Sequence, residues 1–124
     1  MTWIVEDHLR GQPEASVALY DRFVELLTSV GEFRSSPSKS TITFKGTHRG
    51  FAGARPDRRG LVGYLDLQRI VEDERITNVS PYTAKLFVHH FRISTSDQLD
   101  EEFLGWLREA HAVGDGAHRG ARHP

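Results

Sequence analysis

Residues 41–68 read TITFKGTHRGFAGARPDRRGLVGYLDLQ, three stretches of strand character separated by two short glycine-containing turns. Thr41-Ile42-Thr43-Phe44-Lys45 alternates polar and apolar, with β-branched residues at three positions, and reads as a half-buried strand with Ile42 and Phe44 inward. Gly46 to Gly50 supplies a turn, and Phe51-Ala52-Gly53-Ala54-Arg55 returns as a second strand. Pro56 to Gly60 is a turn of similar length. From Leu61 to Gln68, Leu61, Leu65 and Leu67 take one face of a third strand while Val62, Tyr64 and Asp66 take the other. Three strands joined this way form an antiparallel meander.

The period changes on either side of the meander. Between Pro13 and Val30 the apolar positions Val17, Tyr20, Phe23, Val24, Leu27 and Val30 recur at intervals of three and four, which predicts an amphipathic helix that Pro13 starts and Gly31 ends. Val5 to Leu9 reads as a short helical turn in an N-terminal arm spanning residues 1–12. Residues 69–81 are polar and irregular, with Ile76 and Val79 adding at most a short strand. Leu86 to Ile93 is apolar on both alternating sets and belongs in the middle of a sheet. Thr95 and Gln98 stand at capping-box spacing ahead of a final helix striped by Leu99, Phe103, Trp106, Leu107 and Ala110.

The expected fold is therefore α+β: an antiparallel sheet of four to five strands with a meander core, an N-terminal helical segment and a C-terminal amphipathic helix packed on it. Residues 1–113 form a single domain, and residues 114–124 read as a disordered tail. If both helices cover one face of the sheet, the other is open to a ligand or a partner subunit.

Composition removes several function classes. The 124 residues include no cysteine, so disulfides, thiolate nucleophiles and cysteine-ligated metals are excluded. No apolar run approaches the length of a membrane span, and the first twenty residues carry acids, His8 and Pro13 where a signal peptide needs an apolar stretch. A cytoplasmic location is the expectation. The net charge of −1 conceals segregation: residues 1–33 hold two basic and six acidic side chains, giving −4; residues 34–69 hold eight and two, giving +6; residues 70–124 hold six and nine, giving −3. A basic middle between acidic flanks favours an anionic partner on the sheet. Most of its cations are arginines, whose planar fork suits carboxylate or phosphate.

Candidate site residues follow from strand alternation. His89 and His90 point to opposite faces, so they cannot share one metal. His89, alongside Phe87 and Phe91, reads as a hydrogen-bonded core histidine, whereas His90 is a candidate acid or base on the open face. Asp66, beside Tyr64, is a candidate pocket acid or the partner of a neighbouring arginine. Asp7 reads as a helix-start charge with His8 exposed. Lys39, Lys45, Arg55 and Arg92 are candidate ligand-binding cations. No phosphate loop, nucleophile elbow or metal-ligand spacing is present, and no cofactor or metal is expected.

The ordered set Trp3, Glu6-Asp7-His8-Leu9, Gly11, Lys39-Ser40-Thr41-Ile42-Thr43-Phe44, Phe51-Ala52, Leu65-Asp66-Leu67, His89-His90, Asp100, Glu102, Trp106 and Leu107 resembles the bacterial family known as domain of unknown function 5655. The resemblance runs from Trp3 to about Val113 and implies a small intracellular α+β module; it brings no catalytic residues with it. Where that family leads one to expect an Ala-Tyr pair late in the last helix, this chain has Ala110-His111. Three functions fit these features. The first is a binding module that holds a small anionic molecule or nucleic acid on a basic, partly aromatic sheet surface. The second is an enzyme with His90 as acid or base, helped by Asp66 or Tyr64. The third is a domain that forms a homodimer through its open face.

Overall fold

Helix formation begins where the apolar stripe predicts it. In a computed structural model that describes residues 2–117, α1 spans Val5–Leu9 and α2 spans Glu14–Val30. Pro13 sits at the N-cap of α2, where its missing N–H leaves no bond unmade. Helix α2 buries Leu19, Tyr20, Phe23, Leu26 and Leu27. Six strands follow: β1 (Arg34–Pro37), β2 (Ile42–Lys45), β3 (Gly50–Asp57), β4 (Gly60–Leu67), β5 (Ile76–Thr83) and β6 (Leu86–Ile93). A 3-10 turn over Ser96–Gln98 leads into α3 (Glu101–Gly114).

The sheet is wholly antiparallel, in the order β1-β2-β3-β4-β6-β5. The α+β architecture and the flanking helices are as expected, but the sheet has six strands instead of four to five. The additional strand is β1, whose sequence Arg-Ser-Ser-Pro has neither alternation nor β-branched residues; it survives at the sheet edge through its ladder with β2. Strand β5 is also longer than the short piece expected around Ile76 and Val79. It too is an edge strand, exposed along much of its length and containing Pro81. Strand β6 lies between β4 and β5, as its doubly apolar pattern implied.

All three helices pack against one face. Phe23 of α2 stands at the centre of that core, with ring centroids 5.6 Å from Phe44, 5.9 Å from Phe91 and 6.1 Å from Phe103. Leu61, Leu65 and Leu67 from β4, and Ile42 and Phe44 from β2, are fully buried beneath the helices. His89 is a core histidine, as read: its Nε2 accepts from Val71 N at 2.9 Å, and Nδ1 lies 3.0 Å from Phe87 O, so the proton belongs on Nδ1.

Three local expectations are corrected. His8 is buried instead of exposed, because its Nε2 lies 2.6 Å from Ser38 O and its ring packs 5.5 Å from that of Trp3, pinning α1 to the β1–β2 turn. Thr95 and Gln98 cap the 3-10 turn, whereas α3 is capped by Asp100, which accepts from Phe103 N at 3.0 Å. Gly114, placed at the start of the tail, is instead the buried last residue of α3, and its carbonyl accepts from His48 N and Arg49 N. Residues 118–124 of the expected tail lie outside the described residues.

Arg75, in the stretch read as irregular, organises one edge of the core. Only 6% exposed, it donates to Asp73, Gln98 O, Asp100 and Glu102 and lies 4.6 Å over the Trp106 ring.

Candidate functional site

Because side chains alternate across a strand, the face away from the helices is set by register. Tyr64 pairs with His90, Val62 with Arg92 and with Arg55, and Gly53 with Tyr64. These residues, with Thr43 and Lys45 of β2 and Asn78 and Ser80 of β5, project from a face that carries no helix. Two open depressions mark it. One, of about 610 Å³, is lined by Arg49, Gly50, Tyr64, Asp66, Tyr82, Val88 and His90. The other, of about 530 Å³, is lined by Ser40, Thr41, Arg55, Val62, Gly63, Tyr64, Thr77, His90, Phe91 and Arg92. Tyr64 and His90, with ring centroids 6.4 Å apart, form the ridge between them.

The ridge depends on glycine. A Cβ at Gly53 would collide with the Tyr64 ring, and one at Gly63 would collide with Gly53 O. Bare backbone at these two positions lets the Tyr64 ring lie across β3 and the strands approach closely. Burial pushes the Tyr64 phenol above its ordinary range, opposed by a hydrogen bond with Thr43.

Asp66 forms the floor of the first depression. It is 4% exposed, although it points away from the hydrophobic core. Its Oδ2 accepts from Arg49 Nη2 at 2.8 Å, while Oδ1 is buried with no hydrogen-bond partner. Burial pushes its carboxyl up to about 6, and Arg49 limits the rise. Arg49 itself is held at the end of the β2–β3 turn: Nε donates to Gly50 O at 2.9 Å, and Cζ lies 5.3 Å from the centre of the Tyr82 ring. The turn is tied down from the helix side, because Thr47 N donates to Asp115 Oδ1 and the amides of His48 and Arg49 both donate to Gly114 O.

The fold thus gathers Tyr64, Asp66 and His90 around one depression, and Arg55 and Arg92 with Tyr64 and His90 around the other. Lys39, exposed in the β1–β2 turn, and Lys45, at the end of β2, line neither. Arg92 is engaged on both nitrogens by Asp57, at 2.7 and 3.2 Å, and this pairing holds the Asp57 carboxyl down to about 2. Arg49 and Tyr82 are absent from the site residues proposed from sequence. The β3 bulge that places Phe51 out of register between Phe44 and Lys45 breaks the alternation near Arg49, and Tyr82 lies in an edge strand without a pattern. The signal for Asp66 in the sequence is its place beside Tyr64 on the strand face opposite Leu65 and Leu67.

Among the described residues no group of three histidine or acidic side chains is arranged to hold a metal ion, and no helix is long and apolar enough to cross a membrane.

An antiparallel sheet covered by helices on one face, with paired charges and aromatic rings on the other, defines the class of domain. Residues 5–114 match the sequence profile of the family described as Domain of unknown function (DUF5655), and the chain belongs to that family. No curated protein and no solved structure matches it.

Proposed function

We propose that this domain is a cytoplasmic binding module that holds a small anionic ligand on the open face of its sheet. The observation that carries this reading is the charge balance around the two depressions. Three arginines, Arg49, Arg55 and Arg92, line them, against one lining carboxylate, Asp66; Asp57, beside them, is already held by Arg92. Arg55 makes no hydrogen bond or ion pair among the described residues, and Ser40, Thr41 and Thr77 add hydroxyls around it. A phosphate or carboxylate there receives a charge-assisted hydrogen bond from Arg55 and neutral ones from the hydroxyls. Calorimetric titration of the purified chain with ribose 5-phosphate at two salt concentrations tests the proposal. Binding that weakens with salt and is lost in Arg55→Ala supports it; no binding at low salt overturns it. Tighter binding of single-stranded DNA than of the small phosphate would make nucleic acid the partner instead.

A second reading, an enzyme in which His90 acts as acid or base with Asp66 or Tyr64 as its helper, is favoured by one observation. Asp66, whose carboxyl burial pushes up to about 6, lines the same depression as His90 and Tyr64. Turnover of a bound ligand that His90→Ala abolishes without unfolding the protein would support it.

A further inference from the structure

Arg49 Nη1 and Asp66 Oδ1 make no hydrogen bond among the described residues. The guanidinium is fixed through Nε, through Nη2 and by its position over Tyr82, while Nη1 makes no hydrogen bond among the described residues. Asp66 has Oδ2 engaged and Oδ1 buried without a donor. Buried acceptors in folded proteins are almost always paired, so an orphan oxygen beside an open depression marks a place where a bound molecule supplies the missing N–H or O–H. Both residues line the first depression, whose remaining walls include the rings of Tyr64, His90 and Tyr82. Such walls suit a flat ring, and the ion pair suits a ring edge with an acceptor next to a donor.

The second depression begins on the other side of the Tyr64–His90 ridge and contains Arg55. Arg55 stands opposite Val62, four residues along β4 from Asp66, which separates the two backbone positions by about 13 Å. An acceptor and a donor group without partners at one end, aromatic rings between, and at the other a cation that makes no hydrogen bond or ion pair among the described residues match a ring joined to an anion by a spacer.

We infer that the open face binds a nucleoside monophosphate whose base carries an N–H beside a carbonyl, with that edge on Asp66 Oδ1 and Arg49 Nη1 and the phosphate on Arg55. The inference rests on the anion-binding reading above and adds the identity of the group attached to the anion.

The test is titration of the full chain with uridine monophosphate, its N3-methylated derivative and ribose 5-phosphate. Uracil has a single N–H, so methylation removes the only base donor and leaves the phosphate intact. Uridine monophosphate is expected to bind more tightly than ribose 5-phosphate, and methylation to weaken it by about tenfold or more. Asp66→Asn is expected to weaken uridine monophosphate relative to ribose 5-phosphate. Equal binding of the methylated and unmethylated nucleotides overturns the base-edge inference and leaves the anion reading standing. Failure of all three to bind overturns both. Should Asp66→Asn fail to fold, the methylated nucleotide on the unaltered protein decides the matter alone.

Discussion

Asp66 and Arg49 form a 2.8 Å ion pair on the side of the sheet opposite the hydrophobic core, and the carboxylate is nonetheless the more deeply buried partner, at 6% side-chain exposure against 28% for the guanidinium. The pair holds a charge that burial alone would discharge. Its cation comes from a turn and its anion from a central strand, so turn and strand are electrostatically dependent on each other.

The pH dependence of stability follows from that burial. The Asp66 carboxyl is raised to about 6 from an ordinary 3.8, so the folded state binds its proton more tightly than the unfolded state does. Its stabilising contribution is full below about pH 4 and is lost as pH rises through about 6, a change on the order of 3 kcal/mol. Asp57, lowered to about 2 by Arg92, acts oppositely: its contribution is present above about pH 4 and is lost as pH falls through about 2. Urea denaturation from pH 4 to 7 is expected to show Asp66→Asn gaining stability relative to the unaltered protein as pH rises. A constant difference would contradict the assignment.

Removing the cation should do more harm than removing the anion. Arg49→Met strands a buried carboxylate and is expected to lower stability at pH 7 by about 1–3 kcal/mol. Combining it with Asp66→Asn should recover most of that loss, which a double-mutant cycle in urea would measure.

The adjacent histidines should separate cleanly. His89→Ala opens a cavity and leaves Val71 N without its acceptor, at an expected loss of about 2–4 kcal/mol, whereas His90→Ala, on the exposed face, should change stability by less than about 0.5 kcal/mol. Burial lowers the His89 imidazole from 6.5, so this neutral ring contributes fully above about pH 6.5 and progressively less as pH falls below it. Similar melting temperatures for the two alanine variants would contradict the core placement.

Much of this was legible because β2, β4 and β6 bury alternate residues beneath the helices, and a period of two survives in sequence wherever one face is apolar. Strand β1 was illegible for the converse reason: Arg34-Ser35-Ser36-Pro37 is held by backbone pairing to β2, which leaves little mark on residue type. His8 misled because a five-residue helix has too few positions for a periodic face, and its partner, the carbonyl of Ser38, is thirty residues away. Strand alternation places Tyr64, Asp66 and His90 on the open face, whereas Arg49 reaches Asp66 from a turn, where alternation carries no information. Arg75 was hidden in a polar stretch whose acids read as solvated, although Asp73 belongs to the carboxylate set that lets a guanidinium be buried.

Arg75 supplies a further prediction. Arg75→Met removes the hub shared by Asp73, Asp100 and Glu102 and is expected to lower stability by about 2–4 kcal/mol in guanidinium chloride. Arg75→Lys should recover less than half, since an ammonium cannot reproduce the fork that meets several acceptors while lying over Trp106. Full recovery by lysine would reduce the site to a simple charge.

Glycine substitutions should divide by location. At Gly105, in the middle of α3, an added methyl would meet nothing within 4 Å, so Gly105→Ala is expected to raise stability by about 0.5–1 kcal/mol. Gly63→Ala drives a methyl into Gly53 O and the Phe91 ring and should destabilise markedly. Thermal melts of the two variants should move in opposite directions.

The bonds from the His48 and Arg49 amides to Gly114 O join the carboxyl end of α3 to the turn that carries Arg49. Thermodynamic reciprocity then applies: if an intact last turn of α3 improves ligand capture by holding Arg49, a ligand captured by Arg49 must stabilise that turn by the same free energy. Occupancy of the open face would therefore be recorded on the far side of the sheet, as slower amide hydrogen exchange at the end of a helix that the ligand never touches.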